Sequence, residues 1–196
     1  MTRLVVLRHA PTAWNRDKRL QGRTDVVLDE EGVAVAARWR IDPAWRDYRI
    51  LSSPLQRARM TAAVLFPDAE IGVDSRLIEM DFGAWEGRRL ADLRGDPGGD
   101  AERREALGLD FKAPDGESPR EVQARLRPLL LRLAELGRPT VLVTHKAVGR
   151  ALYALASGWT MIGKPPVKLR ANCAHIYALG ADGMPAIELL NVSLEG

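Results

Sequence analysis

The stretch Leu4-Val5-Val6-Leu7-Arg8-His9-Ala10-Pro11-Thr12-Ala13-Trp14-Asn15 decides how this chain is read. Four continuous apolar residues predict a strand buried on both faces. That strand ends on a cation followed by an imidazole. Ligands of open α/β sheets bind outside the carboxyl ends of the strands, so Arg8 and His9 stand where chemistry is expected. Further along, Thr140-Val141-Leu142-Val143-Thr144 repeats the pattern and is followed by His145. Two of the three histidines therefore leave the same edge of the expected sheet. A single strand-end histidine is most often structural. Two of them, one preceded by arginine, point to a site.

Around these two runs, short β-rich segments alternate with longer helical patterns, the signature of a layered α/β fold. Strands are predicted over 4–7, 49–52, 71–73, 140–144, 174–179 and 186–192, the last two joined by a turn at Asp182-Gly183. Ser53-Pro54-Leu55-Gln56 and Ser118-Pro119-Arg120-Glu121 each read as a capping box with proline at the first helical position. They predict helices from about 53 to 65 and from 118 onward. The second carries Val122, Leu126, Leu129, Leu130, Leu133 and Leu136 at helical spacing, so that stripe should face the sheet. Pro128 lies inside it and predicts a kink, because it lacks the backbone donor. Further helices are expected over 31–40 and 146–156. The segment from Asp81 to Gly116 breaks the alternation. It is polar and rich in Gly, Asp and Arg, and reads either as a solvated excursion or as an insertion that shapes a binding site.

Composition narrows the classes. A chain of 196 residues with 46% hydrophobic and 28% charged residues predicts one globular domain over 1–196. Lys plus Arg is 29 against 26 for Asp plus Glu, a net +3 with no basic run, so nucleic acid is not the expected partner. Cys173 is alone, which excludes an internal disulfide and argues against a cysteine-built metal site. The opening apolar run is too short for a signal peptide and no stretch is long enough to span a bilayer, so the cytoplasm is the expected address and no membrane partner is expected.

Two further residues invite a chemical reading. Arg57 falls in the first turn of a helix that follows a strand, where the dipole disfavours a cation unless an anion is bound nearby. Glu79, in Leu77-Ile78-Glu79-Met80-Asp81-Phe82-Gly83-Ala84-Trp85-Glu86-Gly87, is an acid amid cations, which general acid catalysis would explain. Each has a bland alternative: a surface arginine, and a solvated or turn-capping carboxylate.

Taken together, the segments resemble the histidine phosphatase superfamily, in its phosphoglycerate mutase-like branch. They are Arg8-His9 with Thr12 and Trp14-Asn15, Ser53-Pro54 with Arg57-Ala58 and Thr61-Ala62, Glu79 with Phe82-Gly83 and Trp85-Glu86-Gly87, and Thr144-His145. Gln21-Gly22-Arg23 and Gly116-Glu117-Ser118 are also similar to the family. The resemblance implies a three-layer α/β/α sandwich with a mostly parallel central sheet and the insertion over its carboxyl edge. It implies a phosphomonoesterase of the histidine acid type that acts on a small phosphorylated metabolite through a phosphohistidine, with no metal and no cofactor. His9 would be the nucleophile and Glu79 the proton donor. Arg8, Arg57, His145 and Asn15 would bind the phosphoryl group. A homodimer is left open. Two positions depart from the family pattern: Ala10 replaces a glycine, where a methyl would penalise positive φ, and Lys146-Ala147 replaces a glycine pair, with Lys146 expected to face water. The alternatives are a phosphoglycerate mutase, for which the insertion is short, and an inactive module that recognises phosphate or a phosphoprotein.

Overall fold

Strand β1 (Thr2–Arg8) is apolar on both faces because it lies inside the sheet: Leu4, Val5 and Leu7 have no exposed surface. Alternate residues of a strand point to opposite faces, and each face has its own helical cover. On one side Val5 and Leu7 join Val141, Val143, Ala58, Ala62 and Phe66. On the other, Leu4 and Val6 join Leu142, Leu126, Leu129, Leu133 and Leu152. Three layers follow from that division.

The computed structural model describes residues 1–195. After β1 come a one-turn helix α1 (Ala13–Arg16), α2 (Glu30–Arg38), β2 (Arg49–Ser52), α3 (Gln56–Leu65) and β3 (Ile71–Val73). Two short helices, α4 (Leu90–Arg94) and α5 (Ala101–Glu105), lie in the insertion. Then follow α6 (Pro119–Leu136), β4 (Thr140–Thr144), α7 (Lys146–Ser157), β5 (Cys173–Leu179) and β6 (Pro185–Ser193). The six strands form one sheet in the order β3-β2-β4-β1-β5-β6. β1, β2, β3 and β4 pair in parallel, and β5 and β6 add an antiparallel hairpin.

The helix starts differ instructively. Ser118 forms the expected capping box: its side chain accepts from the Glu121 amide while Glu121 accepts from the Ser118 amide. α6 then runs without interruption through Pro128. Ser53 forms no such box, which corrects the sequence reading. α3 begins at Gln56 with Leu55 as an uncapped N-cap, and the Gln56 amide is taken instead by Asp25 Oδ1 at 2.8 Å. The Ser53 hydroxyl is engaged elsewhere.

The 81–116 segment is less polar in its packing than in its composition. Trp85, Leu93, Ala101 and Ala113 bury one another against Phe82, Leu90 and Phe111. Backbone bonds between Leu20 and Arg88 (2.8 Å) and between Gly87 and Leu20 (2.8 Å) tie it to the loop that follows β1.

Candidate active site

Register puts the two histidines side by side. β1 and β4 are adjacent and parallel, with Arg8 opposite Thr144, so the next residue on each strand is a histidine. The His9 amide continues the ladder to the Thr144 carbonyl at 2.9 Å. Both rings are buried, at 5% and 1% exposure, and their centroids lie 5.1 Å apart.

The hydrogen bonds fix which nitrogen each ring presents. His9 Nδ1 lies 2.7 Å from the Ala10 carbonyl, which can only accept, so Nδ1 carries the proton and Nε2 keeps a lone pair. His145 is the opposite tautomer. Its Nδ1 accepts from Arg57 Nε at 3.3 Å and its Nε2 donates to Ser53 Oγ at 2.7 Å. Burial pushes both imidazoles well below their ordinary range. Arg8 and Arg57 push His9 further, and His9, Arg57 and Arg8 do the same to His145. Each ring is neutral at neutral pH. Ala10 is not at positive φ, so its methyl carries no backbone strain, and its amide donates to Thr61 Oγ1 at 3.0 Å.

Glu79 is 3% exposed and closes the other side. Its Oε1 accepts from the Met80 amide at 2.8 Å and the Val148 amide at 3.3 Å, and its Oε2 accepts from the Ala147 amide at 3.2 Å. Two of these donors open α7, so amides at and beside the replaced glycine pair are taken by the Glu79 carboxyl group. Burial raises the Glu79 pKa above the ordinary carboxylate range, and it outweighs the three amides and the pull of Arg57 and Arg8.

A cavity of about 780 Å³ opens over these groups, lined by Arg8, His9, Asn15, Gln21 and Glu79 on the sheet side and by Trp85, Leu90 and Phe111 of the insertion opposite. Inorganic phosphate fills only a fraction of such a volume, and the size falls within the usual ~300–1,000 Å³ of small-molecule sites. Arg8 Nε and Gln21 Nε2 are buried donors without a partner. The Gln21 carbonyl accepts from Asn15 Nδ2 at 3.1 Å and from Thr12 Oγ1 at 3.1 Å, which fixes the side chain while its amide nitrogen has no partner.

Arg57 and His145 stand behind this lining. Arg57 has no exposed surface, and it donates to the Thr24 carbonyl at 2.9 Å and the Gly22 carbonyl at 2.6 Å. With Nε turned to His145, three of its five N–H donors are committed. Arg59 is exposed. Asn15 belongs to the lining but closes a local box with Thr12, accepting from the Thr12 amide at 3.1 Å. Lys146 is exposed at the cavity mouth and contributes to its wall, so it faces the pocket as well as water. Two residues escaped the sequence reading: Ser53, hidden behind a plausible capping role, and Gln21, noted without a function. The structure brings His9, Glu79, Arg8 and Asn15 to one cavity and sets Arg57 and His145 directly behind it.

No group of three or more His, Cys, Asp or Glu among the described residues could hold a metal ion. The side chains around His9 are instead cationic donors suited to an oxyanion.

The chain is similar to a mycobacterial glucosyl-3-phosphoglycerate phosphatase, Rv2419c, whose structure contains VO3. Identity is 30%, the TM-score is 0.79, and the match covers 98% of this chain and 100% of that one. The alpha-ribazole phosphatase of Shigella flexneri shares the fold at a TM-score of 0.80 and 23% identity, over 100% of this chain and 98% of that one. Among sequences, the "probable phosphoglycerate mutase GpmB" of Salmonella arizonae is 33% identical over 175 residues, covering 84% of this chain and 77% of the relative. The sequence model of the histidine phosphatase superfamily, branch 1, matches residues 4–193, and the chain belongs to that family.

Proposed function

We propose that this protein is a phosphomonoesterase that hydrolyses a small phosphorylated metabolite through a phosphohistidine on His9, with no metal. The observation that carries this reading is the His9 ring. Its Nδ1 is locked to the Ala10 carbonyl, which leaves an unprotonated Nε2 on a ring that lines the cavity with Arg8 and a buried Glu79.

In the first half-reaction the Nε2 lone pair forms the N–P bond while the bond from phosphorus to the ester oxygen breaks. Glu79, whose proton affinity burial raises, passes its proton to that oxygen and releases an alcohol. In the second, water attacks phosphorus, the N–P bond breaks, and the Glu79 carboxylate takes the water proton. Charge on the transferring oxygens is met by Arg8, whose Nε has no other partner, and by the Gln21 amide, with the positive charge of Arg57 added from behind the lining. His145 sets the potential beside His9 and links it to Arg57 and Ser53.

The test is release of phosphate from p-nitrophenyl phosphate. Wild type should turn over with EDTA present, acid-labile phosphate should be trapped on His9, and His9→Ala should abolish both. Turnover that survives His9→Ala overturns the reading. The sequence relatives named as probable phosphoglycerate mutases support a second reading, transfer of the same phosphoryl group to 3-phosphoglycerate. Phosphoenzyme that passes its phosphate only to that acceptor, and not to water, would establish the mutase instead.

A further inference from the structure

Beside Glu79, two cations of the cavity wall make no ion pair. Lys146 and Arg150 occupy the first and fifth positions of α7, so they project from one face of the helix, and both line the cavity. The Arg150 guanidinium is steered by the Trp159 ring, with its central carbon 5.2 Å from the ring centroid. Neither side chain has a hydrogen-bond or ion-pair partner among the described residues. The acids lining the same cavity are Glu79, which favours the charged form of Lys146, and Glu102 and Glu105, of which Glu105 is held in a two-point pair by Arg94 at 2.7 Å. Glu105 favours the charged form of Arg150 without pairing with it, and partial desolvation at the cavity wall lowers both Lys146 and Arg150 from their ordinary values.

Two further facts make the pairing costly as it stands. The first turn of α7 contains no acid, so the cations sit at the positive end of the helix dipole. Arg8 lies close enough to Lys146 to lower it further. Three positive charges along one wall, beside a helix start, are best offset by an anion larger than a single phosphoryl group.

We propose that Lys146 and Arg150 form a second oxyanion subsite, so that the preferred substrates are phosphomonoesters whose alcohol carries another carboxylate or phosphate. The position follows from the chain: Lys146 directly precedes Ala147, whose amide holds Glu79, and Glu79 faces the departing oxygen. The second anion therefore belongs to the leaving group and not to the transferred phosphoryl. This inference rests on the phosphatase reading for its orientation.

The test uses matched substrates. 3-Phosphoglycerate against glycerol 3-phosphate probes a carboxylate, and glucose 1,6-bisphosphate against glucose 1-phosphate probes a second phosphate. In one arm at least, the doubly anionic member should show kcat/KM about 10-fold higher. Lys146→Gln and Arg150→Gln should each remove most of that preference, chiefly through KM. Arg150→Lys, which keeps the charge and guards against misfolding, should retain part of it. Equal losses on both members of a pair, or no preference in either arm, overturn the proposal. Calorimetric binding of the same pairs to His9→Ala protein reads the subsite without turnover. Preference in binding with no hydrolysis by wild type would sink the phosphatase reading alone, whereas hydrolysis without preference would sink the subsite alone.

Discussion

Glu79 shows how one side chain balances opposed forces. Three backbone amides and two guanidiniums favour its carboxylate, yet complete burial wins and its pKa rises. An acid with a raised pKa stays protonated further into the neutral range, so the alkaline limb of kcat should report Glu79. Glu79→Gln keeps one oxygen to accept from backbone amides, sets an NH2 where the other oxygen accepts, and has no acidic proton to give. It should slow an alkyl phosphate by about 10²–10⁴-fold, and p-nitrophenyl phosphate far less, because nitrophenolate leaves without help. The alkaline limb should vanish with it. Equal losses on both esters would remove Glu79 from the role of acid. Arg57 makes the companion case. Arg57→Ala strips donors from two carbonyls and from His145, and should lower kcat/KM by about 10²-fold or more. Arg59→Ala, two positions along and in solvent, should change it less than about 2-fold. Comparable losses would show that burial of Arg57 serves only the fold. At this scale the sequence carried the reactive groups by their resemblance to a family, but not the tautomers. Those depend on which carbonyl, hydroxyl or guanidinium meets each ring nitrogen, and Ala10, Ser53 and Arg57 reach the rings from three separate segments.

Elements carry the next level of control. The loop bearing Glu79 has little regular structure of its own and is clamped from α6. Arg125 donates to the Ile78 carbonyl at 2.6 Å and to the Arg76 carbonyl, while Glu117 holds the guanidinium from behind at 2.8 Å. Arg125 is thus a positioning residue for the acid. Arg125→Ala should cost on the order of 2 kcal/mol in urea unfolding, and should also reproduce, in weaker form, the leaving-group dependence of Glu79→Gln. Arg125→Lys should recover part of both. A loss of stability with unchanged leaving-group dependence would leave Arg125 a purely structural role. Legibility at this scale depended on distance along the chain. The Ser118 box was readable because all its partners lie within one turn. At α3 the same pattern misled, since His145 claims the Ser53 hydroxyl and Asp25, far upstream, caps the helix. Likewise the apolar contacts inside 81–116 join residues too scattered to show a period, and the segment read as merely polar.

For the whole molecule, the alternation of strands and helices and the two histidine-tipped strands were legible, because buried runs and their order belong to local sequence. Strand order was not, since pairing β4 between β1 and β2 is a long-range choice, and it is that choice which brings the rings together. The same burial sets the acid stability. All three histidines are kept neutral: His9 and His145 lie well below their ordinary range, and burial lowers His175 to about 4. Between pH ~6.5 and 4 the unfolded chain gains protons that the folded one refuses, so stability is full above that window and is lost as pH falls through it. Glu79 works the other way, since its raised pKa lets the folded state bind a proton at higher pH than the unfolded one. His175 isolates the effect because it lies outside the site, where its Nδ1 accepts the Asn191 amide at 3.2 Å in the β5–β6 hairpin. Protonation would turn that acceptor into a donor facing a donor. Removing the imidazole should therefore flatten the acid slope without touching catalysis. In urea unfolding, wild type should lose about 1 kcal/mol more than His175→Gln between pH 6 and pH 5. Parallel losses in the two proteins would mean that His175 is protonated in the folded state and that the acid sensitivity originates at the paired rings.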